Sequence, residues 1–402
     1  MQQVLRGVSL NQEQMVLAIS AVLFVLFSVA LESFFQVSNL LSLLQNVSIL
    51  GILAIGMSVV IIGRGIDLTM VAVMVFSVGW SFSMYLDGMA IGPALALGLL
   101  LALAIGAVNG ILIAYVEIPA IFATLAMATA ISGLGRFALV DTDTLFITQD
   151  LGLLGQIGSG RLGAVVPMPV VLFLVLACLA YVGLRFTRYG AFVYAIGDNY
   201  MAARNNGIAN RPMTVLMYTV SAAIAFAAGL IMTTTVSTVN TKLANSTMVY
   251  DIILVVVIGG IGLSGGKGSI RNVLSGTILI GLLLNGMTIM NISYSVQSII
   301  KAVILLAAII VDSMLNPRTN RPLSKGTSDA AISNIFQVSR EEKSWNSESS
   351  RRHSPSPRCS AVSPGCKAPR SPKGRMTGST ISTRRPSRAS ASPSCRSLPA
   401  TT

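Results

Sequence analysis

Lys267 follows Gly266 near the end of GGIGLSGGKGS (259–269), and no other stretch comes closer to a phosphate-binding loop. Such a loop needs GxxxxGK[ST], so that backbone amides wrap the phosphates and a Ser or Thr hydroxyl meets Mg2+. Here Ile261 stands where the first glycine belongs, and Gly268 follows the lysine. The run also closes an apolar stretch instead of joining a strand to a helix. It reads as a tight turn at a membrane surface, and no ATP site or other cofactor is expected in this chain. The single histidine is His353, and the four cysteines (Cys178, Cys359, Cys366, Cys395) form no CxxC pair. Neither a catalytic residue nor a metal site is expected.

A second glycine-rich break, GRGIDLT (63–69), sets Arg64 and Asp67 three residues apart. Unwound backbone is tolerated at membrane depth where it lines a cavity or packs inside protein. Charges there mark a function or a paired structural contact. Asp67, Asn109, Thr124 and Asn285 are the candidate pathway or turn residues. Each either hydrogen-bonds a hydroxylated solute or bonds across helices, and helix packing is the favoured reading. Asp67, Asp251, Lys301 and Asp312 all fall near the expected span ends. Gly106 and Gly110 form a GxxxG, which lets helices approach closely.

The longest polar interruption is 185–212, with Arg185, Arg188, Arg204 and Arg211 against one acid, Asp198. Its centre, AFVYAIGDNYMAARNNGI, predicts a short helix. Asp198-Asn199 can cap its start, and Gly207 is placed to stop it. A short helix in a basic loop suits a partner docked at the membrane surface. The competing reading is an ordinary loop held inside by positive charge. Gly190, Gly197, Arg204 and Gly207 are the residues its spacing singles out as candidates for contact with such a partner.

Composition sets the class. The chain is 53% hydrophobic and only 11% charged, which excludes an ordinary soluble domain. The net charge of +13 is mostly in the tail: residues 1–325 carry 15 basic and 11 acidic side chains, the rest 13 and 4. No nucleic-acid partner is implied. Ten apolar runs predict an all-α polytopic fold with 8–10 membrane helices, at about 15–34, 47–63, 68–86, 91–115, 118–137, 164–184, 213–233, 249–264, 272–290 and 296–315. Loop charge places both termini in the cytosol, with membrane lipid around the helices. The expected organisation is a cytosolic N-terminus (1–14), a membrane domain (15–315) and a tail (316–402). A weak duplication is visible: VVIIGRGIDLTMVAVM (59–74) parallels VVVIGGIGLSGGKGSI (255–270), and IGAVNG (105–110) parallels IGLLLNG (280–286). The Ser/Arg/Pro-rich tail cannot bury a core. Its composition reads as out-of-frame translation of GC-rich DNA, with a regulatory or phospholipid-binding arm as the competing reading.

Four stretches together resemble the permease subunits of bacterial ATP-binding-cassette sugar importers of the ribose/xylose/galactose type. They are GRGIDLT, IPAIFATLAMATAISGLGR (118–136), YAIGDNYMAARNNGI (194–208) and GGIGLSGGKGSIRNVLSGTILIGLLLNG (259–286). Arg64, Val71 and Asn272 depart from the family pattern. The resemblance implies a translocation pathway for a simple sugar or polyol, formed by a homodimer or heterodimer of permeases. It implies a cytosolic ATPase that binds ATP and docks on 185–212, and a periplasmic sugar-binding protein. The alternatives are a stand-alone secondary transporter of a small polar solute, or an export or scaffold protein without a solute path.

Overall fold

Every residue from Val47 to Ile62 is buried, on all faces of one helix, and the rest of the protein is wrapped around that stretch. The computed structural model describes residues 12–148, 151–163 and 166–315. Its helices are α1 (Gln12–Ala30), α2 (Val37–Ile62), α3 (Met70–Leu86), α4 (Ile91–Ala114), α5 (Ala120–Leu134, extended by a π-turn to Leu139), α6 (Gly155–Ser159), α7 (Met168–Phe186), α8 (Arg188–Asp198), α9 (Tyr200–Asn205), α10 (Asn210–Val236), α11 (Met248–Gly259), α12 (Ile270–Ile289) and α13 (Tyr294–Leu315). Among the described residues, seven helices are long and apolar enough to cross a membrane, and α3, α11 and α13 are shorter apolar helices. The ten expected runs are thus ten apolar helices. The N-terminal segment 1–14 lies outside the described residues except for its last three, which open α1, and the tail 316–402 lies outside them entirely.

Two boundaries differ from the apolar runs. α1 stops at Ala30, and α2 starts at Val37, ten residues before its apolar run. Ser38, Asn39, Ser42 and Asn46 hide those turns from a hydropathy reading, and the Ser42 hydroxyl donates back to the Ser38 carbonyl at 3.0 Å. Asn39 donates to the Phe34 carbonyl at 2.8 Å and pairs with Asn285.

α10 packs against α2, α3 and α4, while α12 packs against α1, α2 and α11. α3 and α11 are therefore enclosed, and their short lengths, 17 and 12 residues, need not match a bilayer. The outer helices expose large apolar side chains such as Val29, Leu100, Phe122 and Leu179, as lipid contact requires. The chain reverses at two faces. One, the turn face, carries 63–69, 115–119, 187–209 and 260–269. The other carries a small clasp in which β1 (Thr144–Phe146) pairs antiparallel with β4 (Thr238–Asn240). A hairpin of β2 (Arg161–Leu162) and β3 (Val166–Pro167) precedes α7.

At the clasp, Asp143 pairs with Lys242 at 2.9 Å and also with Arg136. Lys242, then Arg136, hold the Asp143 carboxyl below its ordinary value. The folded pKa is thus the lower one. The pairing contributes fully above the ordinary carboxylate pKa of about 4, and its contribution is lost as pH falls through the folded value. Hydrogen-exchange protection at residues 144–147 and 238–240, taken relative to the intrinsic rate at each pH, should therefore fall on acidification, and Asp143→Asn should abolish that added acid sensitivity.

Candidate coupling surface and membrane turns

The turn after α2 closes as a Schellman motif. The Arg64 amide donates to the Ile61 carbonyl at 2.9 Å, and the Gly65 amide to Val60 at 2.8 Å. Arg64 takes the left-handed conformation, φ +70°. The turn after α11 repeats the pattern: Gly260 (φ +103°) donates to Val257 at 3.0 Å, and Ile261 to Val256 at 3.1 Å. The two repeated strings thus fold alike at their glycine breaks, and Arg64 stands where the second copy has Gly260. The second pair of strings does not follow. Asn109 lies near the turn face on α4, whereas Asn285 lies near the clasp face on α12, and the two helices run in opposite directions.

Arg64 tolerates its strain because Nε donates to the Ser264 carbonyl at 2.9 Å, tying one glycine turn to the other. The same junction is closed by the Gly266 amide, which donates to the Ile62 carbonyl at 2.8 Å. Gly197 of α8 completes it. A Cβ there would stand 1.9 Å from the Ile62 oxygen and 2.5 Å from the Gly266 nitrogen.

Asp67, Asn109 and Thr124 are brought together by the first turn. Asp67 is 1% exposed. Its Oδ1 accepts from the Thr69 amide at 3.0 Å and from the Thr69 hydroxyl, and its Oδ2 accepts from Ser221 on α10 at 2.8 Å. Asn109 donates to the Thr69 hydroxyl at 2.9 Å. The Ile66 carbonyl accepts from Thr124 at 3.3 Å and Tyr218 at 3.4 Å. One short turn thereby holds the start of α3 to α4, α5 and α10 by polar contacts. Ser221 and Tyr218 give no local signal in the sequence, because their partners lie some 150 positions away. Asn285 does not join this group. It exchanges hydrogen bonds with Asn39, at 2.9 and 3.2 Å.

The loop 185–212 holds two helices instead of one. Asn199 caps the second, its Oδ1 accepting from the Met201 and Ala202 amides at 3.1 and 3.0 Å, while Asp198 ends the first. α9 closes as a further Schellman turn: the Gly207 amide donates to Arg204 and the Ile208 amide to Ala203. Gly207 has φ +80°, and its missing Cβ would face open space. Gly190 is a close-packing position, since a Cβ there would meet the Leu184 carbonyl at 2.0 Å. Arg204 is exposed and lines a cleft of about 480 Å³ with Arg64, Glu117 and Tyr200. Met201 beside it is 63% exposed. Arg211 pairs with Glu117 at 3.0 Å, holding the start of α10 to the turn before α5.

Asp251 lies in the first turn of α11, near the end of its helix as expected. Lys301 sits two turns inside α13, and the two are buried and paired. The side chain of Asp312 lies outside the described residues.

Two stability outcomes follow. Arg64→Gly and Arg64→Ala both lose the bond to Ser264, but only glycine relieves the left-handed strain, so the glycine variant should be about 1 kcal/mol more stable. Asp67→Ala should cost about 2 to 4 kcal/mol, because it orphans buried donors, and Asp67→Asn clearly less. Thermal unfolding in detergent reads both.

The sequence profile of the family described as "Branched-chain amino acid transport system / permease component" matches residues 39–309. The ribose import permease RbsC of Escherichia coli K12 is 34% identical over 308 residues, 75% of this chain and 94% of its own. The galactofuranose transporter permease YtfT of the same strain is 30% identical over 68% of this chain and 79% of its own. The fructose import permease FrcC of Rhizobium meliloti is 30% identical over 70% and 79%. No solved structure matches the chain.

Proposed function

The chain belongs to this permease family, and from that membership we propose that it is the membrane-spanning subunit of an ATP-driven importer for a simple sugar or polyol. The observation that carries the reading is the similarity to sugar import permeases across almost the whole helical domain. A cytosolic ATP-binding-cassette ATPase supplies the energy, a periplasmic binding protein delivers the solute, and a second permease subunit completes the pathway. The turn face is cytosolic, as its arginines favour. The membrane is the bacterial inner membrane, with both termini in the cytosol.

The geometry supports α8–α9 as the element the ATPase moves. Met201 and Arg204 offer an exposed apolar anchor and a charge on α9. Behind them, α8 touches the end of α2 and the turn between α11 and α12 through backbone, at Gly197, Ile62 and Gly266. Backbone contacts have no rotamers to absorb a displacement. A push on α9 is therefore carried to α2 and α11, the enclosed helices, as a rigid-body shift.

Reconstitution in proteoliposomes with the ATPase and binding protein tests the reading. ATP-dependent sugar uptake is expected, and uptake driven by a proton gradient without ATPase would favour the stand-alone transporter. Arg204→Glu and Gly207→Pro should insert normally yet lower sugar-stimulated ATP hydrolysis at least about tenfold. Normal coupling in both would leave the loop as a topological anchor only.

A further inference from the structure

Two charged side chains inside the membrane part take no share in the turns. Asp251 and Lys301 are 9% and 6% exposed, and both carboxylate oxygens lie 2.9 Å from Nζ. Helix rise sets Asp251 about 12 Å from Gly259, the end of α11 at the turn face. That is near the middle of a hydrocarbon core of about 30 Å. A buried ion pair contributes little net stability, because desolvation of both ions offsets their attraction. Charges at this depth mark solute paths, and short or broken helices commonly frame them. α11 is such a helix, 12 residues long.

The pair is not sealed in protein. It forms part of the wall of a cavity of about 330 Å³ between α2, α11, α12 and α13. Asn46, Asn285, Gln297 and Tyr294 line the same cavity. An ionised carboxylate has about four acceptor positions, and Lys301 occupies only part of them. Lys301 thus orients the carboxyl group while leaving lone pairs for other donors. The volume is at the lower end of ligand sites, the size range of one small solute. Such a wall of carboxylate, ammonium and amides, with a tyrosine ring alongside, suits a neutral molecule with many hydroxyls.

We propose that this cavity is a mid-membrane station for one monosaccharide or polyol, whose hydroxyls donate to Asp251 and accept from the Asn46 amide and Lys301. The proposal rests on the sugar-permease reading above. It assigns the solute contact to α2, α11 and α13, and leaves Asp67, Asn109 and Thr124 as ties of the turn.

The test uses the reconstituted importer with tritiated D-ribose and D-fructose as probes. If the wild type takes up neither, the sugar reading itself falls, and this proposal with it. If it takes up either, two variants decide. Asn46→Trp fills the cavity without touching the ion pair. Asp251→Asn combined with Lys301→Met removes both charges and leaves neither unpaired. Each should lower uptake of the transported probe at least about tenfold, with insertion and thermal unfolding close to wild type. Uptake at the wild-type level in either variant overturns the station, and the pair then only fastens α11 to α13. Should the double variant fail to insert, Asn46→Trp alone decides.

Discussion

The Ile62 carbonyl accepts the Gly266 amide across 2.8 Å, and Gly197 presses on both from α8 without a side chain between them. Three separate turns meet there, main chain to main chain. Any Cβ at Gly197 would overlap the Ile62 oxygen, so the ends of α2, α8 and α11 stand in one fixed relation. The rest of the turn face is built outward from that junction. Arg64 adds a side-chain tie to Ser264. Asp67, two residues past Gly65, ties the same turn to α10. A membrane protein cannot rely on water exclusion to press its helices together, because lipid is as apolar as the helices themselves. Close backbone approach and internal hydrogen bonds must do that work. The turn face has both, and Gly106, Gly110, Gly158 and Gly276 bring backbones together elsewhere in the bundle.

The same reasoning accounts for the shapes of the helices. α1, α4, α7 and α10 face lipid over part of their surface and have 19 to 27 residues. α3 and α11 are covered by other helices, so no bilayer thickness dictates their length. Their buried side chains include Ser77 and Ser81, whose hydroxyls return to carbonyls one turn back in the same helix. Enclosure thus allows short helices and polar atoms together, and Asp251 lies on one of those short helices.

Much of this architecture was legible in the chain itself. Ten apolar runs correspond to ten apolar helices, and the glycine strings at 59–74 and 255–270 fold into turns of one pattern. Gly207 stops its helix as its position suggests. Other features were not legible, and the reason is physical. Hydropathy registers a helix only where side chains are apolar, so the first turns of α2 were invisible. A glycine needed for close packing looks the same in sequence as one needed for φ, which left Gly190 and Gly197 undistinguished from Gly207. The partners of Asp67 and Asp251 lie 154 and 50 residues away on other helices, and no local period encodes such distances.

The mutual amide contact of Asn39 and Asn285 links positions 246 residues apart. A chain is made at about 5 to 20 residues per second, so roughly 12 to 50 s separate the synthesis of the two asparagines. Throughout that interval α1 and α2 are in the bilayer while the helix that will receive them does not exist. Asn39 must meanwhile find hydrogen bonds within its own segment, and the Phe34 carbonyl at 2.8 Å provides one. The late helix α12 thus returns to the first two, and its arrival gives Asn39 its partner.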